Sequence, residues 1–316
     1  MEFHEYLTSY DAFKRSFRRS GEPLPSFGRD ADTFYKAHMM KAMETFSQTG
    51  LVAVNQWLAE SRWEKDKRPY YQVWPGIIEP LSRLKLVDVP AVDVELTPDI
   101  VCFRFAKQDK NFRIDDQYQL RSMLVVDGVE AKVEQKFELV KTGETRRTFT
   151  LWMDWGETES NGTVELPVLT FQRLLMKPGY NLEQAADAMP TDDSIDEGIR
   201  IPPELLTKAV RLACAVALLA RDREEGLIEP DVLSKDLAKW RATGNKAIVE
   251  RAHRRGKIGW NVGRNIEVSP HYRRAHPMVL KAGVAGRTKS RIVWRKDTFV
   301  HRDKIKKLPT DREGEK

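Results

Sequence analysis

Four of the six histidines, His253, His271, His276 and His301, fall in the last 64 residues, among arginines and aromatic side chains. The densest run is Ser269-Pro270-His271-Tyr272-Arg273-Arg274-Ala275-His276-Pro277. A loop carrying Gly283 and Gly286 follows it, and then Arg291-Ile292-Val293-Trp294-Arg295. Guanidinium groups fork onto phosphate oxygens, and aromatic faces stack unpaired bases. The candidate nucleic-acid-binding residues are therefore His271, Tyr272, Arg273, Arg274, His276, Arg291, Trp294 and Arg295, with Arg287 and Lys289 as further phosphate contacts. Trp294 would either stack on a base or anchor its strand, and the anchor is the preferred role.

The same residue types could cleave a phosphodiester. A neutral imidazole removes the 2′-OH proton, a protonated one donates to the leaving oxygen, and arginine stabilises the charge on phosphorus. His271, His276 and His301 are thus the candidate catalytic residues of a metal-independent ribonuclease. In a strand, however, a separation of five puts His271 and His276 on opposite faces, so a bend at Pro277 or help from His301 would be required. Binding is placed ahead of catalysis, and enzyme status stays open. A purely structural role, with the imidazoles holding a loop through backbone hydrogen bonds, fits an isolated pair better than one grouped with arginines. Two histidines without a nearby cysteine or an HExxH carboxylate supply too few ligands for a metal, and no cofactor is expected.

The charge of the chain supports a polyanionic partner. The 316 residues carry a net charge of +6, but residues 246–316 hold 20 Lys+Arg against 7 Asp+Glu, a net of +13, which leaves −7 on residues 1–245. A segment so biased attracts RNA or a ribosomal surface by counterion release, and distant acidic groups are screened from cancelling it. An acidic protein partner would be attracted by the same charge.

The elements that must position these residues follow from hydrophobic periodicity. After Asp32, Phe34, Ala37, Met40, Met43 and Phe46 recur at helical spacing up to Gly50, and Leu51, Val54, Trp57 and Leu58 continue it to Trp63. The Tyr70–Pro75 aromatic cluster reads as packing and is assigned no function. From residue 92 the period becomes two. Strands are expected over 92–96, 100–105, 120–126, 131–140, 147–155 and 164–169, with a hairpin connection at Lys141–Thr145. Pro202 and Pro203 open a helix that is apolar around most of its circumference through Leu219, and a shorter one runs from Asp231 to Trp240.

The fold class is therefore α+β: N-terminal helices, a central antiparallel meander, one buried helix and a basic C-terminal segment with a short hairpin. Residues 1–245 are expected to form an acidic body, divisible into 1–90 and 91–245, with 246–310 packed on it and 311–316 frayed. The longest apolar run, Leu212 to Ala220, is too short to span a membrane. No signal-peptide h-region follows the N-terminus, so a cytoplasmic location is expected. Cys102 and Cys214 sit in apolar runs as small hydrophobes.

The run Pro270 to His276, the glycine loop, Arg291-Ile292-Val293-Trp294 and Phe299-Val300 together resemble the C-terminal signature of the AcrVA-type anti-CRISPR family. Ala275 and Pro277 stand where that family has Gly and Trp. Leu96-Thr97-Pro98-Asp99-Ile100-Val101-Cys102-Phe103 is similar to a second stretch of the same family, in the same order. The resemblance implies a protein of mobile genetic elements in a bacterial host that suppresses production of a CRISPR effector. It would do so by recognising the nascent effector polypeptide and promoting loss of its mRNA.

Overall fold

A computed structural model describes residues 2–20, 38, 50–157, 168–187, 201–222, 228–230, 234–248, 255–259, 272–273, 276–295 and 298–299, with short breaks at 4–5, 7–8, 97, 108–111, 115–117, 137, 247 and 285–286. The helix expected over 34–46 lies outside the described residues apart from His38, which is helical. The helices are α1 (Ser9–Ser20), α2 (Gly50–Lys65), α3 (Pro75–Ser82), α4 (Leu182–Asp187), α5 (Pro203–Asp222) and α6 (Ser234–Ala242).

The main sheet has the order β6-β5-β4-β2-β1-β8-β7, where β1 is Tyr70–Val73, β2 Ile100–Arg104, β4 Tyr118–Lys136, β5 Glu138–Glu157, β6 Val168–Leu175, β7 Ile228–Pro230 and β8 Arg255–Ile258. The short β3 (Arg113–Ile114) pairs with β4. Most pairings are antiparallel, as the closely spaced strands predict. β1 is the exception, because it lies parallel to both β2 and β8. A parallel neighbour needs a crossover, and α3 begins it: Pro75 opens the helix where a missing N–H costs nothing. Tyr70–Val73 of the aromatic cluster is thus an interior strand, and Trp74 caps the start of α3.

Each strand serves two cores. Val101, Phe103, Met123, Val125, Phe149, Leu151, Met153 and Trp155 face a large core that includes α3 and α5. Residues of the opposite parity, Ile100, Cys102, Leu124, Val126 and Trp152, meet Ala59 and Trp63 of α2 and the ring of Tyr6. Leu212 through Ala220 of α5 are buried without a break, as expected of a helix apolar on nearly every side.

Two local expectations fail for identifiable reasons. Residues 92–96 are not a strand: a 3-10 turn covers Ala91–Asp93, and the carbonyls of Val92 and Val94 accept from the Arg147 guanidinium. The alternation there still buries Val94 and Leu96. The β4–β5 hairpin closes between Lys136 and Glu138, not at Lys141–Thr145: pairing runs from Tyr118↔Glu157 to Lys136↔Glu138 with register shifts at Leu120/Ser122 and Ala131/Val133. The second of these falls at residues 142–144, an irregularity within the ladder in place of the expected turn. Among the described residues no helix is long and apolar enough to cross a membrane.

Candidate nucleic-acid interface

The C-terminal signature folds back on itself. Strand β10 (His276–Leu280) pairs antiparallel with β11 (Arg291–Arg295), opposing His276 to Arg295, Pro277 to Trp294 and Leu280 to Arg291. Strand β9 (Tyr272–Arg273) pairs with β12 (Thr298–Phe299), opposing Arg273 to Thr298 and Tyr272 to Phe299. The two ladders share one register and form separate two-stranded sheets, the β10–β11 ribbon being the longer. The two halves of the His/Arg/Trp signature, remote in sequence, are thereby opposed residue against residue.

One side of the ribbon rests on the body. Pro277 and Ile292 are buried, Ile292 belongs to the large core and Val279 packs against it. Strand β11 touches α5, and β10 touches α3. Period-two alternation puts positions 276, 278, 291, 293 and 295 on the other side, where Arg291 is exposed and Met278 and Val293 are half-buried.

The tip of the ribbon is fixed by the acidic body, through residues the sequence alone did not single out. The Ser290 backbone N–H donates to the buried Asp93 carboxylate at 2.8 Å. The Lys289 ammonium lies 2.9 Å from Glu95, and Lys281 lies 2.8 Å from Asp88. Within the tip the Gly283 N–H donates to the Arg287 carbonyl at 2.8 Å, and Gly283 takes φ +77°, a left-handed conformation that suits glycine. Arg287 Nε donates to the Lys281 carbonyl at 3.2 Å. Lys289 and Arg287, both expected to contact phosphate, thus also hold this loop together. The signal for Asp88, Asp93 and Glu95 was the acidic cluster opposite a basic segment, but only the fold says which strand faces it.

The predicted residues divide into three groups. Arg291 is placed with its side chain exposed. Tyr272, Arg273, His276, Trp294 and Arg295 are placed by backbone register alone. His271, Arg274 and His301 lie outside the described residues. The structure pairs His276 with Arg295 and does not describe a second imidazole beside it. No group of three or more His, Cys, Asp or Glu side chains arranged to hold a metal occurs among the described residues.

These features define a class: an α+β protein with a mostly antiparallel sheet between two helical layers and a basic ribbon docked on one of them. The fold is similar to the crystal structure of AcrVA2, with a TM-score of 0.53 and 14% identity over 92% of each chain. At that identity the likeness is one of fold. No family model and no curated protein matches the chain.

Proposed function

We propose that this protein has an anti-CRISPR-like role, suppressing production of a CRISPR effector, with the docked ribbon as its contact to RNA or to the ribosome. The observation that carries this reading is the register of the ribbon. It sets His276 against Arg295 at positions that share a side with exposed Arg291, while Pro277 and Ile292 are buried. Anchoring by Asp93, Glu95 and Asp88 pre-organises that side, which lowers the ordering cost of binding a polyanion. The acidic body is then the surface for recognising the nascent polypeptide. Binding is placed ahead of cleavage, and a metal-independent ribonuclease using His271, His276 or His301 is the alternative.

The deciding experiment is recovery of the tagged protein from effector-expressing cells, with and without nuclease treatment, followed by identification of retained RNA and polypeptides. Effector mRNA or ribosomal RNA lost on nuclease treatment is expected. A nuclease-insensitive partner without RNA would overturn the RNA assignment. In a purified system, affinity for labelled RNA should fall by roughly a thousandfold between about 50 and 200 mM salt.

A further inference from the structure

The long hairpin outruns the sheet it belongs to. Strand β2 pairs with β4 from Arg104↔Ser122 to Ile100↔Val126, and β6 pairs with β5 from Trp155↔Val168 to Thr148↔Leu175. Beyond those limits β4 and β5 pair with each other, from Val129↔Arg147 to Lys136↔Glu138. Among the described residues no further strand joins either edge there. Residues 129–136 of β4 thus run along a two-stranded arm, roughly 27 Å at ~3.4 Å per residue, with both edges open. A hairpin of two strands is marginal in water and gains stability when further strands add to it.

The two edges differ. The register shift between Ala131 and Val133 sets Lys132 against residues 142–144, so the irregularity lies in β5 and leaves β4 continuous. An irregular edge resists pairing, which makes β4 the edge able to accept another strand. Its positions alternate without interruption. Glu130, Lys132, Glu134 and Lys136 share one face with alternating sign, and Val129, Ala131, Val133 and Gln135 share the other. An edge guarded against association carries lysines that repel a second copy. Here the order of signs is its own complement when reversed: Glu-x-Lys-x-Glu-x-Lys laid antiparallel on itself sets every Glu opposite a Lys, the favourable cross-strand pairing.

We propose that this arm joins two copies of the chain, their β4 edges pairing antiparallel about a twofold axis at Val133 to give a four-stranded sheet. That register opposes Glu130 to Lys136 of the second copy, Lys132 to Glu134 of the second copy, and Val133 to its own counterpart. The twofold repeats both charge pairs, so every charge on the edge is matched. Moving the axis by one residue, onto Lys132 or Glu134, brings Glu against Glu and Lys against Lys. Charge therefore fixes the register as well as the partner. Inside its own hairpin Glu130 already opposes Arg146 and Lys136 opposes Glu138, whereas Glu134 opposes Val140 and Lys132 has no directly opposed residue in the ladder. Lys132 and Glu134 are the positions that report on association without disturbing a charge pair of the hairpin. The surface is separate from the basic ribbon and does not depend on its RNA assignment.

The test is sedimentation velocity of the full-length protein over a rising concentration series. A species of twice the chain mass is expected to grow with concentration. Glu134→Lys and Lys132→Glu should each weaken self-association by about tenfold at low salt, because each sets like charges opposite at two places across the axis. Mixing the two variants should restore the dimer, since one arm then carries Lys at both positions and the other Glu at both. That restoration also shows that both variants are folded. The chain carrying both substitutions should self-associate like wild type. A monomer throughout the series, growth past the dimer into larger species, a dimer left intact by both single variants, or mixed variants that stay monomeric would each overturn the assignment.

Discussion

Arg147 forks across Asp127 on the neighbouring strand, its Nε donating to Oδ1 at 2.8 Å and its Nη2 to Oδ2 at 2.6 Å. The same guanidinium holds the Val92 and Val94 carbonyls, and Asp127 also accepts from the Leu96 N–H at 3.1 Å. Residues 92–96 are pinned to the sheet by this pair, and their Asp93 and Glu95 hold the ribbon. One ion pair in the long hairpin thereby positions a surface that begins far along the chain.

Arg147→Met should cost about 2–3 kcal/mol, less than a fully buried pair because the guanidinium keeps some solvent. The urea midpoint measures it. Asp127→Asn in the same background should recover part of the loss, since the stranded carboxylate is removed. If the two single changes simply add, the pair is not the coupling described.

Ile292→Ala should cost about 2–4 kcal/mol by leaving a cavity beneath the ribbon. Amide exchange should accelerate across Met278–Val293. Leu124→Ala, on the opposite core, is the control: it should lower global stability without selectively exposing the ribbon. Equal exchange profiles for the two variants would contradict docking through Ile292.

Glu60 sets a pH dependence. Its buried carboxyl accepts from the Tyr10 N–H at 2.7 Å, Gln56 at 2.8 Å, the Tyr6 hydroxyl at 3.0 Å and the Ser9 N–H at 3.2 Å, which ties α1 to α2. Burial outweighs these donors and raises its pKa from 4.5 to about 7. The folded state therefore keeps a proton that the unfolded chain releases, so stability falls as pH rises from 4.5 to about 7. Glu60→Gln should remove that slope when Tm is followed across the window. An unchanged slope in the variant would show that another group titrates.

Cys102 and Cys214 are fully buried, and burial pushes both thiols up to about 12. Neither should react with a thiol reagent at neutral pH in the native protein, whereas both should react in denaturant. Fast native labelling of either would place it at the surface.

Arg291→Ala should lower RNA affinity at low salt and reduce the slope of log affinity against log salt by about 1. Arg83→Ala, another exposed arginine but at the C-cap of α3 and paired with Glu79, is the matched control that should leave the slope alone. A slope unchanged by Arg291→Ala would remove the ribbon from the phosphate contacts.

The sequence by itself determined which residues are buried and roughly where. A period of two from Ile100 to Trp155 marks strands, and an uninterrupted apolar surface from Leu205 to Leu219 marks a buried helix, because side-chain period is a local property of the backbone. The concentration of positive charge near the C-terminus was equally legible. Tertiary structure alone decided the neighbours. Period does not encode register, so the hairpin reverses beside Lys136, Tyr70 to Val73 enters the sheet in parallel, and Asp93 meets Ser290.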